Sequence, residues 1–264
     1  MQNFAYHNPG SVADAVAALK GADDGKFLAG GQSFVPVLRL GLAEPSDVIN
    51  LKGLADLQGI TDGGDHVAIG ALATHAEVET SSVVRAALPG LATMAGHIGD
   101  PQVRNRGTLG GSVAHADPAA DYPAALIALK ATVVTDRREI AADDFFRGLF
   151  ETALEEDEVI TQVKFPKADK AAYGKFASTA SKYALVGVFV AKHGSEVRVA
   201  VTGASARYFR VAAMEQALAA KWSPDAVDGI IVPEDDLQSD MEADSAYRAH
   251  LVSVMAKRAV GSAG

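Results

Sequence analysis

The chain contains no cysteine. Disulfides, thiolate nucleophiles and iron–sulfur ligation by this polypeptide are therefore excluded, since each needs a cysteine sulfur. Positive charge is also scarce: 24 basic residues stand against 33 acidic ones in 264, a formal charge of −9. Binding a duplex or an anionic membrane depends on clustered Lys and Arg. Arg104/Arg106 and Arg137–Arg138 are only short basic groups, and they read as surface or ion-pair residues. Long apolar runs are missing too. The longest, YALVGVFVA (Tyr183 to Ala191), is far too short to span a bilayer. The stretch MQNFAYHNPGSVADAV has no basic segment followed by an apolar one, so a secretory signal is not expected and a cytoplasmic protein is. Neither GxGxxG nor GxxxxGK followed by Ser or Thr occurs, which leaves a Rossmann site or a nucleoside-triphosphate loop without support. No nucleophile elbow, paired-carboxylate site or metal-ligand spacing stands out, so no catalytic or metal-binding residue is expected.

What is present is a globular composition, 48% hydrophobic, with signals for alternating helices and strands. SVADAVAALK opens with a capping signature, Ser11 and Asp14, and places Val12, Val16 and Leu19 on one apolar face. KFLA predicts a short buried strand, VPVLRLG a short helix ending at Gly41, and DVINL another strand. LQGITDGGDHVAIGA predicts a hairpin turning at Asp62–Asp65. Thr74 and Glu77 form a second capping box, before a helical stretch interrupted at Pro89–Gly90. YPAALIALKATVVT reads as helix then strand. After a polar boundary near residues 165–172, antiparallel strands follow, turning at His193–Ser195. VAAMEQALAAKW and YRAHLVSVMAKRAV read as amphipathic helices. The expected layout is a two-part α/β amino-terminal region and a smaller α+β carboxy-terminal domain.

Two stretches call for bare backbone. LAGGQSF places Gly30 and Gly31 between apolar segments with Ser33 just beyond, and Thr108-Leu109-Gly110-Gly111-Ser112 repeats the pattern. Glycine tolerates the φ values of an anion-binding nest and lets N–H groups converge on a phosphate. Two such loops could clasp the two phosphates of a dinucleotide from opposite sides. Each glycine pair has the second reading of a plain tight turn.

At these residues the chain resembles a known family. LAGGQSFVPVLRL and DPQVRNRGTLGGSVAHADPAADYPAALIAL look like the two flavin-binding motifs of the FAD-carrying medium subunit of molybdenum hydroxylases, the carbon monoxide and xanthine dehydrogenase type. DEVITQVKFP, GKFASTASKYALVGV and SAYRAHLVSVMAKRAV extend the similarity over nearly the whole chain. The resemblance implies an α+β protein: a two-lobed FAD-binding fold of the vanillyl-alcohol oxidase (PCMH) type with a carboxy-terminal flavoprotein-like α+β domain. The implied bounds are 1–168, with lobes of roughly 1–56 and 57–168, and 169–264.

By the same resemblance, Ala29, Gly30, Gly31, Gln32 and Ser33 bind the FAD pyrophosphate, and Thr108, Leu109, Gly110, Gly111 and Ser112 complete the cradle. Asp121 matches an acidic residue near the flavin's polar chain, where a carboxylate accepts hydroxyl hydrogen bonds. Its other reading is a cap for the following helix. Ile160, beside Val159, matches backbone near the adenine or flavin edge, or else is strand core. Lys175 matches a lysine near the flavin, or is an exposed strand lysine. Tyr183 matches a ring on the isoalloxazine face, or packs within a strand. His115 reads as a loop residue and His97 carries no assigned role. The implied FAD is non-covalent. The implied partners are a large subunit with the molybdenum cofactor and a small one with two 2Fe–2S clusters, in a dimer of heterotrimers that passes electrons through FAD to an external acceptor. A free-standing FAD oxidase or dehydrogenase of the same fold is the alternative, and a non-redox binder of a phosphorylated ligand is a third reading. The substrate of the parent complex is not legible in this chain.

Overall fold

A computed structural model describes residues 3–263. Residues 1, 2 and 264 of the expected domain bounds lie outside it. Strand β1 (Ala5–His7) leads into α1 (Val12–Lys20), which starts where the Ser11 hydroxyl accepts the Asp14 N–H at 3.1 Å. Then come β2 (Gly25–Leu28), α2 (Phe34–Arg39) and β3 (Asp47–Asn50), and the three strands form a parallel sheet in the order β1-β3-β2. Val12, Val16 and Leu19 pack on a small core that includes Ala15, Ile49, Leu51 and Leu57. Strand β2 is half-buried rather than buried, because Lys26 and Phe27 border an open cleft.

The hairpin of β4 (Ile60–Asp62) and β5 (His66–Gly70) turns as expected, with the Asp62 carboxylate accepting the Gly64 N–H at 2.8 Å. Thr74 and Glu77 form the capping box of α3 (His75–Thr80). The helical stretch beyond is not one interrupted helix. It divides into α3, α4 (Ser82–Ala87) and α5 (Pro89–Gly96), with breaks at Ser81 and Leu88. Pro89 sits inside the first turn of α5, where its missing N–H is not needed, so it starts a helix instead of interrupting one. After α6 (Pro101–Arg104), the second glycine motif is also not a loop. Thr108 caps α7 (Leu109–His115), and both glycines lie in its first turn.

The remaining elements of this part are α8 (Tyr122–Ala128), β6 (Thr132–Thr135), β7 (Glu139–Ala141), α9 (Ala142–Phe145), the short pair β8 (Phe146–Gly148) and β9 (Glu151–Thr152), and β10 (Ile160–Pro166). An antiparallel sheet runs β4-β5-β10-β6-β7. The largest core, with Val67, Leu91, Met94, Tyr122, Leu126, Phe145 and Phe165, joins this sheet to α5, α7 and α8.

A second antiparallel sheet contains β11 (Lys170–Ala177), β12 (Ala184–His193), β13 (Glu196–Thr202) and β14 (Phe209–Arg210). It is covered on both faces. Val186, Val188 and Val190 pack with Met214 of α10 (Ala212–Ala220) and Leu251, Val252 and Met255 of α11 (Ser245–Ser262), whereas Phe189 and Ala191 join the core around α8. Double burial explains why β12 is a continuous apolar run and not an alternating one. Among the described residues, no helix is long and apolar enough to cross a membrane.

Candidate functional site

A cleft of about 670 Å³ is bordered by β2, the start of α2, the start of α7 and the segment 158–160. Its size is that of a pocket for a sizeable small molecule. The first glycine motif forms one wall. Among the described residues, the amides of Gly30, Gly31, Gln32 and Ser33 have no protein acceptor. Such orphaned donors are rare unless something else satisfies them. Gly31 has φ +75°, the left-handed conformation that turns successive N–H groups toward one point.

The second motif works differently. The Leu109 and Gly110 amides donate to the carbonyls of Ala73 and Ala71 at 2.9 and 2.8 Å, and Gly111 N–H goes to the Thr108 hydroxyl at 3.2 Å. These amides are engaged within the protein, so this wall offers hydroxyls and bare surface in place of a second nest. The paired glycines also divide their roles. A Cβ on Gly30 would lie 2.1 Å from the Arg106 carbonyl oxygen, and one on Gly110 would lie 2.6 Å from the Ala71 Cβ. Those two glycines let chain pack on chain. Gly111 lies beside the first motif: its Cβ would meet the Thr108 hydroxyl at 2.8 Å and touch the Ala29 Cβ at 3.6 Å.

Of the residues singled out in the sequence, Ala29, Gly30, Gly31, Gln32, Ser33, Thr108, Gly110, Gly111, Ser112, Asp121, Ile160 and Tyr183 all border this one cleft. Leu109 does not; its side chain is fully buried in the main core. Ile160 is at once strand core and cleft wall. Tyr183 precedes β12 and is 45% exposed, so it is not strand packing. Asp121 sits at the start of α8 but makes no capping hydrogen bond. Its carboxylate instead accepts the Tyr173 hydroxyl and pairs with Lys175 at 2.9 Å. Lys175 is not an exposed strand lysine: its side chain is 4% exposed, and it also donates to the His97 carbonyl at 3.0 Å. Lys175 reaches the cleft through Asp121. Burial pushes the Asp121 carboxyl above the usual range, while Lys175 and Tyr173 act against that rise.

The carboxy-terminal sheet also fixes the segment that delivers Asp117 and Asp121. The Thr202 hydroxyl bonds to the Ala120 carbonyl at 2.6 Å, the Tyr208 hydroxyl to that of Asp117 at 2.6 Å, and Gly203 N–H to that of Pro118 at 2.8 Å. Sequence reasoning missed His75, a buried cleft residue whose Nδ1 has no partner among the described residues. Its only local signal was its place directly after the Thr74 cap.

A flavin dinucleotide fits these residues. Four free amides on a left-handed bend suit a diphosphate, and the apolar lining by Phe27, Leu51, Leu57, Leu72 and Val159 suits a flat heterocycle. Fold and cleft thus define a protein that holds a nucleotide cofactor between two lobes. Residues 2–168 match the family described as the FAD binding domain in molybdopterin dehydrogenase. The chain is 38% identical to the nicotine 6-hydroxylase medium subunit of Paenarthrobacter nicotinovorans, over 98% of this chain and 96% of that one. It is 37% identical to the carbon monoxide dehydrogenase medium chain of Hydrogenophaga pseudoflava, again over 98% and 96%. A solved structure of carbon monoxide dehydrogenase from the latter organism, lacking the Mo-pyranopterin moiety, superposes with a TM-score of 0.86 at 36% identity, covering 98% of this chain and 96% of that chain. The chain belongs to the FAD-binding medium subunits of the molybdenum hydroxylases, and its cofactor is FAD.

Proposed function

We propose that this chain is the electron-transfer subunit of a molybdenum-containing hydroxylase or dehydrogenase. It takes electrons from iron–sulfur clusters of a small partner, reduced in turn by a molybdenum cofactor on a large one, and passes them to an external acceptor. We further propose a dimer of such three-subunit units in the cytoplasm. Residues 1–168 form the FAD-binding domain and residues 169–264 the domain that closes on it. The observation that carries the reading is the row of amides from Gly30 to Ser33, unpartnered among the described residues and bordering the same cleft as the start of α7. FAD, when bound, supplies storage for two electrons between one-electron donors and the acceptor. The chain's own part is to bind and orient. The Gly30–Ser33 amides hold the diphosphate, Thr108 and Ser112 add hydroxyls, and Asp121, held by Lys175 and Tyr173, accepts hydroxyl hydrogen bonds from the polar chain. Ile160 and Tyr183 border the ring systems. A free-standing oxidase has no support, since the two sequence relatives are named as a medium subunit and a medium chain.

The test is the visible spectrum of the purified chain. Flavin bands, with FAD released on denaturation, are expected, and they should be lost when Gly31 and Gly111 are each replaced by valine. A folded chain that neither holds nor takes up FAD would overturn the reading. Co-purification with a molybdenum-containing large subunit and an iron–sulfur small one tests the assembly.

A further inference from the structure

We propose that His75 is a cofactor-contacting residue whose Nε2–H donates a hydrogen bond to an acceptor oxygen of the bound dinucleotide at the floor of the diphosphate cradle. This rests on the FAD reading above. His75 is 5% exposed and borders the cleft. Its backbone N–H donates to the Gly107 carbonyl at 3.0 Å, which clips the start of α3 to the strand of chain that enters α7. Gly107 in turn lies against Gly30, so the order from the cradle inward is Gly30, Gly107, His75. A Cβ on Gly107 would stand 2.6 Å from Nε2, so only glycine lets the chain pass this close to the imidazole edge.

The two ring nitrogens differ. Nδ1 is sealed from solvent and has no hydrogen-bond partner among the described residues. A buried N–H without an acceptor is rarer and more destabilising than a lone pair without a donor, so the proton belongs on Nε2. The ring is neutral: burial first, and then the Arg104 guanidinium, push its pKa down to about 4. Arg104 itself is held by Glu79 at 2.9 Å and by the Ile98 carbonyl. Tyr122 also faces the ring, 5.4 Å away between centroids, and its hydroxyl is buried and without a partner among the described residues. Among the described residues nothing accepts from Nε2, and the neighbouring cradle is where an oxygen-rich diphosphate and ribityl chain would lie. A neutral donor there adds a hydrogen bond without adding charge.

Titration of the apoprotein with FAD, followed by quenching of flavin fluorescence, tests the proposal in wild type, H75F and H75Q. H75F removes the donor while keeping a flat ring, and its dissociation constant should rise about tenfold, the range for a hydrogen bond to a charged or strongly polar group. H75Q restores an N–H near Nε2 and should recover most of that loss. The H75F apoprotein should melt no lower than wild type, because the orphaned Nδ1 is gone. Binding by H75F within about twofold of wild type would overturn the proposal and leave the FAD reading intact. Failure of wild type to bind FAD would overturn both. If H75F does not fold, two-bond 1H–15N spectra of wild-type histidines decide: an Nε2-protonated His75 whose 15N shift moves on adding FAD supports the proposal, and an Nδ1-protonated or unmoved one refutes it.

Discussion

Asp121 and Lys175 stand fifty-four positions apart in the chain, yet they form a buried ion pair at 2.9 Å. Taking one partner from a buried pair strands the other, typically at a cost of about 3–5 kcal/mol. K175M should therefore lower unfolding free energy by that order in urea titrations, and D121N/K175M should regain most of it. His75 makes a different prediction. Its pKa is lowered from 6.5 unfolded to about 4 folded, so the unfolded chain binds the extra proton more readily between those values. The neutral buried ring is no penalty above pH 6.5, and stability is lost as pH falls from 6.5 toward 4. Denaturation of wild type relative to H75F across that window should show a pH-dependent difference approaching about 3 kcal/mol at the acid end. At this scale the sequence was only partly legible. Lys175 sits mid-strand with no local mark of burial, and only the approach of β11 to the start of α8 distinguishes an ion-paired lysine from a solvated one.

Helix α7 shows how one element turns sequence signals into a wall. Its Thr108 cap was readable as a hydroxyl ahead of two glycines, but the helix was not, because glycine is a weak helix former and is common in loops. What makes it helical is docking: the first amides of α7 bond to the carbonyls of Ala71 and Ala73, tying it to the segment after β5. T108A should cost about 1 kcal/mol through loss of the cap, measured by thermal melting of the apoprotein. The glycines should rank differently. In G30A the new methyl meets backbone on Arg106 and Gly107, which cannot move aside, whereas in G111A it meets one hydroxyl. G30A should therefore lower the melting temperature well beyond G111A, with overpacking of this kind costing about 1–3 kcal/mol. A similar division separates the readable helix α11 from its buried Arg248, which donates to the carbonyls of Leu185 at 2.7 Å and Gly203 at 2.9 Å and pairs with Asp240 at 2.6 Å. Amphipathic spacing marks such a helix, but not an arginine that ties the ends of β12 and β13 to the chain before α11.

For the whole molecule, the cleft couples cofactor to stability, because its walls come from segments far apart in sequence and close only when folded. A ligand that binds only the folded state stabilises it by about 2.7 kcal/mol at one hundred times its dissociation constant. Added FAD should raise the melting temperature of the apoprotein progressively with concentration, and the G31V and G111V variants should show little rise. The sequence by itself determined the capped starts of α1 and α3, the hairpin at Asp62–Asp65, where backbone had to be bare, and that no cysteine chemistry resides here. Those features follow from residue type and neighbours within a turn or two. Only the tertiary structure decided which amides stayed free and which were taken, that Asp121 is paired instead of capping, and that His75 lies beneath the cradle. Hydrogen-bond satisfaction and burial depend on what packs alongside, and here the decisive neighbours come from distant parts of the chain.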